Sequence, residues 1–534
     1  MDKRPSEWDV AGGETNMAKQ ILIVGGGTAG WLTACYLARM IGGREAQGAR
    51  ITLVESEDIG IIGVGEGTFP SIRKTLKRIE LDEAALIRDA NATFKQGIRF
   101  DNWRHAPSVE PTDRYYHPFQ TADQHTDLDL LPYWLLGAAG DAPWSRVGTV
   151  QQAVIDAHRA PKLIEHPDYA GPLAYAYHFD AVAFGQLLRR HALERGVTRI
   201  ADTIDAVRLA PDGAIESLTA RASGRLEADL YIDCTGFRAQ LIGQALGSPF
   251  TSYRNQLFCD RALAVQLPYA RPDVPIASCT ISTAQESGWT WDIGLQERRG
   301  VGYVFSSAHT SETRAAEVLS AYAGVPVDRL EPRLLKFEAG FRHVQWRKNC
   351  VAIGLSAGFI EPLEATGIGF AEIAALILVN LFPWAGEYDQ AAAQFNAQMR
   401  RRYDHVIDFI KLHYCLSKRE DTDFWRDNRA SASISDSLKT KLDIWRWRPP
   451  SFLDVDLSHD IFIAPNWQYV LYGMGFRTDI SGRAGALRYH DAAREEFANI
   501  REQSRNALRI MPDHRALVEE VRRAGFRRPM AGAR

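Results

Sequence analysis

Long apolar runs are missing from this chain. The longest, around Ala374 to Val379, has Glu372 before it and Asn380 after it, well short of the about 18–20 residues that cross a bilayer, so no membrane anchorage is expected. An excess of charge is missing as well. The 534 residues carry 63 Lys and Arg against 66 Asp and Glu, a net charge of -3 that leaves no electrostatic footprint for nucleic acid. Paired cysteines are absent too: Cys35, Cys234, Cys259, Cys279, Cys350 and Cys415 are widely scattered, with no CxxC and no Cys/His cluster. That spacing gives no zinc site and no disulfide framework, so no metal is expected and the thiols read as reduced. The first twenty residues are charged throughout and lack the apolar core of a secretory leader, which makes a cytoplasmic location the expectation.

What remains is an ordinary folding composition. With 46% hydrophobic and 24% charged residues the chain is neither collagen-like nor disordered. At about 100–200 residues per domain its length suggests roughly three domain-sized masses, or two interleaved ones. Residues 1–16 are polar and are expected to be a loose extension. Ile21 to Val24 reads as a buried strand, Trp31 to Ile41 as a helix stopped by Gly42-Gly43, and Ile51 to Val54 as a second strand. Strand, glycine turn, helix and strand make a βαβ unit with a right-handed parallel crossover.

The turn in that unit is Gly25-Gly26-Gly27-Thr28-Ala29-Gly30, a GxGxxG at the start of the helix. Its first glycine suits a tight turn, Gly27 lets backbone approach a pyrophosphate, and the helix N-terminus offers unpaired N–H groups to phosphate. Glu55 closes the second strand where an adenosine ribose would lie, favouring FAD or NAD over NADP. Tyr231 to Gly236 and Ala352 to Gly358 repeat the pattern of a strand ending in a glycine turn far downstream. A flavin needs more wall than a nicotinamide nucleotide, so the three turns together point to FAD. Further along, Ala181 to Arg195 reads as a helix. Residues 276–306 read as antiparallel strands, with Glu297 to Gly300 turning and Val301 to Phe305 returning. Helix is also expected from Thr366 to near Pro383, and the pattern is mainly helical from Asp389.

The expected fold is therefore α/β: an FAD-binding Rossmann-like module of the glutathione-reductase type with an inserted antiparallel sheet, over residues 17–385. A mainly helical subdomain over 386–534 would cover the substrate.

More specific are Gly63 to Pro70, Ala92-Thr93-Phe94-Lys95, Trp289-Thr290-Trp291-Asp292-Ile293 and Glu361-Pro362-Leu363-Glu364-Ala365-Thr366-Gly367, with an echo at Asp421 to Trp425. In these the sequence resembles the flavin-dependent tryptophan halogenases, from about residue 20 to about residue 430. The resemblance implies a two-site chemistry. Reduced FAD and O2 would oxidise chloride or bromide to hypohalous acid, which then travels to a lysine beside the aromatic substrate. Lys95 matches that lysine, whose ammonium can hydrogen-bond the reagent; a haloamine is the competing form. Glu364 matches the glutamate that takes the proton from the ring as general base. Thr366 and Gly367 would hold the halide on backbone N–H groups, and Gly65, Gly236, Leu355 and Ile368 join Gly25, Gly27, Thr28, Ala29, Gly30 and Glu55 as cofactor contacts. Trp289 and Trp291, on one face of a strand, would form a flat wall between flavin and substrate, while His117, Phe119 and Trp289 would line the substrate.

Two departures bear on specificity. Gly294 stands where the family motif commonly has proline, and Ala365 where tryptophan-specific members usually carry serine. The Asn466-Trp467-Gln468-Tyr469 region shows no clamp for an amino-acid backbone, so indole or an indole derivative is expected rather than free tryptophan. A separate NADH-dependent reductase would deliver the reduced flavin, and a homodimer is compatible with such a chain. A single-component flavin monooxygenase that hydroxylates an arene, or a non-catalytic flavin-binding protein, stays open on the residues alone.

Overall fold

A computed structural model of the chain describes residues 19–42, 48–58, 60, 65–122, 128–386, 388–456 and 460–527. The expected extension over 1–16, the helix-stopping Gly43, and Gly63 and Val64 of the first motif lie outside them.

The strands Lys19–Val24 and Ala49–Glu55 pair in parallel around the helix Thr28–Met40, so the βαβ unit forms where the sequence places it. They sit in a six-stranded sheet ordered Trp346–Arg347, Cys350–Ala352, Leu230–Asp233, Lys19–Val24, Ala49–Glu55, Thr198–Ala201. All its pairings are parallel except that of the Trp346–Arg347 edge. Two strands from far downstream thus follow the first in the same sheet, Leu230–Asp233 beside it and Cys350–Ala352 next beyond, each running into a glycine turn. Ile21, Ile23, Leu53 and Ile232 are buried against the helix face that carries Trp31, Ala34 and Leu37, a continuous apolar layer of the kind a covered parallel sheet requires.

A seven-stranded sheet runs Arg333–Lys336, Arg261–Pro268, Arg298–Phe305, Gly288–Gly294, Thr280–Gln285, Gly97–Asp101, Arg114–Pro118. It is antiparallel save for one parallel pairing, between Thr280–Gln285 and Gly97–Asp101, which brings strands from before residue 120 beside the later hairpins. The returning strand of the Trp289 hairpin begins at Arg298, not Val301, and Gly300 lies inside it opposite Ile293. Cross-strand charge extends the ladder: Arg299 reaches Asp292 at 2.5 Å, and Arg298 pairs with Asp180.

A small third sheet is formed by Glu66–Gly67, Ala176–Phe179 and Thr93–Lys95. Helices dominate after Tyr388, led by the 28-residue Tyr388–Cys415. Phe409, Trp445, Phe462 and Trp467 are buried there, packing this part onto the sheets. The other expected helices form at Ala181–Glu194, capped by the Asp180 side chain, and at Thr366–Asn380.

Candidate active site

One cavity of about 1000 Å³ runs through the middle of the molecule. Its lining includes Gly25, Gly27, Thr28, Ala29, Gly30 and Glu55, with Gly65, Gly236 and Leu355, and also Trp289, Trp291, Thr366, Gly367, Ile368 and Lys95. The expected cofactor, halide and lysine positions therefore share one space. Glu364, His117 and Phe119 do not line it.

The glycine end fits a dinucleotide. Gly25 has φ +113°, and a Cβ there would lie 2.2 Å from the Cys234 carbonyl oxygen, so the turn is packed directly on the neighbouring strand end. At Gly27 a Cβ would meet nothing within 4 Å, which leaves the approach to the helix open. Among the described residues the helix Thr28–Met40 has no side-chain cap, and the buried Thr28 hydroxyl has no hydrogen-bond partner. Free N–H groups at an uncapped helix start beside a cavity are what a pyrophosphate satisfies. Glu55 borders the same space but is partly engaged: its Oε2 accepts from Trp31 Nε1 at 3.0 Å and its Oε1 from Arg199 Nε at 2.5 Å.

Lys95 lines the same cavity. Its strand positions it opposite Ala176, its side chain is wholly buried, and its Nζ has no hydrogen-bond partner among the described residues. Nζ lies 5.4 Å from the centre of the Phe119 ring. A Cβ at Gly67 would come within 3.2 Å of it, so that glycine makes the room the amine occupies. Burial pulls the amine down to about 8, against the opposing charge of Glu364.

Glu364 belongs to a short 3-10 turn, Pro362–Glu364, that leads through Ala365, at φ +57°, into the helix beginning at Thr366. The turn aims the carboxylate away from the cavity and the first helical N–H groups into it. The His117 ring straddles the carboxylate, and His413 Nε2 lies 3.1 Å from Oε1. Burial acts to raise the carboxyl, but His117 and His413 outweigh it and hold Glu364 well below the usual carboxylate range. Asn466 Oδ1 accepts from the Ile463 N–H at 2.8 Å, which turns its amide nitrogen toward His117 Nε2 at 2.9 Å. Both ring nitrogens of His117 are thereby used inside the protein, so the ring holds Glu364 and offers no free polar atom to a ligand. Phe119 remains exposed enough beside Lys95 to meet one.

Thr366 and Gly367 are the first two residues of their helix, which has no side-chain cap. Among the described residues the buried Thr366 hydroxyl has no partner, and a Cβ at Gly367 would meet nothing within 4 Å. Unpaired N–H groups facing open space suit a small anion. The indoles of Trp289 and Trp291 stand on one strand face with centroids 6.4 Å apart, but their planes are inclined at 61°, so the wall is angled and not flat. Trp291 lies over Gly302, where a Cβ would be 2.1 Å from the ring.

His413 and Asn466 escape a reading of the sequence. They reach Glu364 and His117 from separate C-terminal helices, and no local pattern marks them.

A glycine turn, an uncapped helix start and a cavity whose lining includes a buried lysine are the features of a dinucleotide-binding α/β enzyme. The model of the tryptophan halogenase family matches residues 20–487. The chain is 34% identical over 530 residues to the 7-chloro-L-tryptophan 6-halogenase KtzR of Kutzneria sp. strain 744, covering 94% of this chain and 99% of that one. It superposes on the crystal structure of a tryptophan halogenase from Shewanella frigidimarina NCIMB 400 with a TM-score of 0.92 at 41% identity, covering 96% and 99% of the two chains. BrvH, a flavin-dependent halogenase from Brevundimonas sp. BAL3, matches with a TM-score of 0.83 at 35% identity over 94% and 99%. The chain belongs to the flavin-dependent tryptophan halogenase family. No helix among the described residues is long and apolar enough to cross a membrane.

Proposed function

We propose that this enzyme halogenates an electron-rich arene, an indole or indole derivative, using FADH2, O2 and chloride or bromide. FAD, when bound as FADH2, supplies with O2 the oxidation of halide to hypohalous acid. Gly25, Gly27, Thr28, Ala29, Gly30, Glu55, Gly65, Gly236, Leu355 and Ile368 hold the cofactor, and the N–H groups of Thr366 and Gly367 hold the halide. Trp289 and Trp291 exclude the arene from the cofactor end while the small reagent passes to Lys95.

There the ammonium donates to the reagent's oxygen and sharpens the halogen as electrophile. The arene lies by Phe119, on the side of Lys95 away from the glycine turn. As the carbon–halogen bond forms and the oxygen–halogen bond breaks, the oxygen leaves as water with a proton from the lysine side, and Glu364 accepts the proton lost by the ring. His117 keeps that carboxylate ionised and aimed. Residues 17–385 carry both sites and 386–534 cover the substrate, with reduced flavin arriving from a separate NADH-dependent reductase; a homodimer is compatible with this arrangement.

The observation that carries this reading is that Lys95, whose buried Nζ has no partner among the described residues, lines the same cavity as the Gly25 turn. Its test supplies FAD, an NADH-driven reductase, bromide, oxygen and indole, with mass spectrometry as the readout. A bromine isotope doublet is expected. A phenol formed with NADH and no reductase would overturn the reading in favour of a monooxygenase.

A further inference from the structure

Among the described residues the lysine strand Thr93–Lys95 has a partner strand, Ala176–Phe179, on one side. On its other side it is held by separate groups. Thr93 Oγ1 donates to the Gly294 carbonyl at 2.6 Å, the Gln96 N–H donates to Ser278 at 2.7 Å, and between them the Phe94 N–H donates to Nε2 of His514 at 3.0 Å. His514 opens the helix His514–Ala524, beyond the 20–487 span that the family model matches.

The ring is locked by what it faces. Nδ1 lies 3.0 Å from the Ile276 carbonyl oxygen, which can only accept, so Nδ1 carries the hydrogen. The Phe94 N–H can only donate, so Nε2 is bare. One neutral tautomer satisfies both, and protonation would set N–H against N–H. The ring is fully buried, with its centre 5.9 Å from that of Phe94. Burial pulls its pKa down to about 4, against the Ile276 hydrogen bond and Asp513 and together with His158 and Arg515; His178 stands close by. The helix start is fixed in turn, since Ala160 donates to Pro512 at 2.9 Å, the His514 N–H to His158 at 3.0 Å, and Arg515 to Gln296 at 2.9 Å.

We propose that His514 is a positioning residue for Lys95: by capping the Phe94 amide from outside the small sheet, it sets the strand height at which Nζ enters the end of the cavity. This rests on the halogenase reading for its activity arm and stands apart from it for its structural arm. The substitution His514→Leu removes the acceptor, and His514→Gln restores an acceptor and a donor.

Amide hydrogen exchange over residues 93–96 is expected to lose at least tenfold protection in His514→Leu and to recover most of it in His514→Gln. In parallel, product per reduced flavin oxidised is expected to fall at least tenfold in His514→Leu, with hypohalous acid captured by an added scavenger and flavin oxidation unchanged, and to recover in His514→Gln. Unchanged protection in a folded His514→Leu protein overturns the proposal. So does a loss of flavin oxidation in step with product that His514→Gln does not rescue, which would mark a general folding role. If the wild-type protein gives no halogenated product, the functional reading fails while the exchange measurement still decides the positioning.

Discussion

His117 Nδ1 stands 3.0 and 2.9 Å from the two oxygens of Glu364, with the whole arrangement buried. An N–H shared between both oxygens keeps the carboxylate ionised where burial alone would protonate it. Replacing His117 with Leu is expected to raise the Glu364 pKa toward that of a buried acid and to lower turnover at least tenfold. It should also destabilise the fold by about 3 kcal/mol, because a buried charge loses its partner. Steady-state kinetics and thermal unfolding measure both effects. Glu364→Gln, which keeps shape but not basicity, is expected to slow turnover about 100-fold or more at saturating substrate, within the usual range for a general base.

Lys95→Ala is expected to abolish arene halogenation while leaving flavin oxidation intact, since the reagent would still form but not be presented. Product by mass spectrometry and flavin absorbance separate the two steps. Normal halogenation by this variant would remove the lysine from the mechanism.

The amine of Lys95 is pulled down to about 8 by burial, against the charge of Glu364. Halogenation that needs the ammonium is therefore expected to fall above about pH 8, where an ordinary lysine stays charged to about 10.4. The stability sign follows from the same shift. Between about 8 and the unfolded value the unfolded chain binds more protons, so stability rises with pH through that window, opposite to the trend in activity. A pH–rate profile and unfolding measured at matched pH values test both.

Gly67→Ala places a methyl group 3.2 Å from Lys95 Nζ, 3.4 Å from His178 Cδ2 and 3.5 Å from Thr280 Oγ1. The lysine must shift. A several-fold loss of product per flavin oxidised is expected, and flavin binding measured alongside separates a shifted lysine from a disturbed cofactor site, because Gly67 lines the cavity next to Gly65. Equal coupling in Gly67→Ala and wild type would show that the fit around the amine is slack.

The glycine turn was legible because its meaning is local: a buried strand, glycines and a helix start are adjacent in sequence, and the structure keeps them adjacent. Lys95 and Glu364 were legible only through resemblance, since nothing in Ala92 to Lys95 states that the amine will be buried. The start of the returning strand was missed at Arg298 because charged residues read as a turn, whereas each arginine meets a carboxylate across the sheet or beside it. The inclination of the two indoles depends on Gly302, in the next strand. His514 was beyond reach for a different reason, its contact with Phe94 spanning 420 positions.

Trp289 and Trp291 are nearly solvent-free, and Trp291 is seated on Gly302 with no slack behind it. If the pair separates cofactor from arene as proposed, a partition made of two packed bicyclic rings would be a sieve with no hinge. It would pass species of two or three atoms and refuse ring-sized ones without a timing signal from substrate or cofactor.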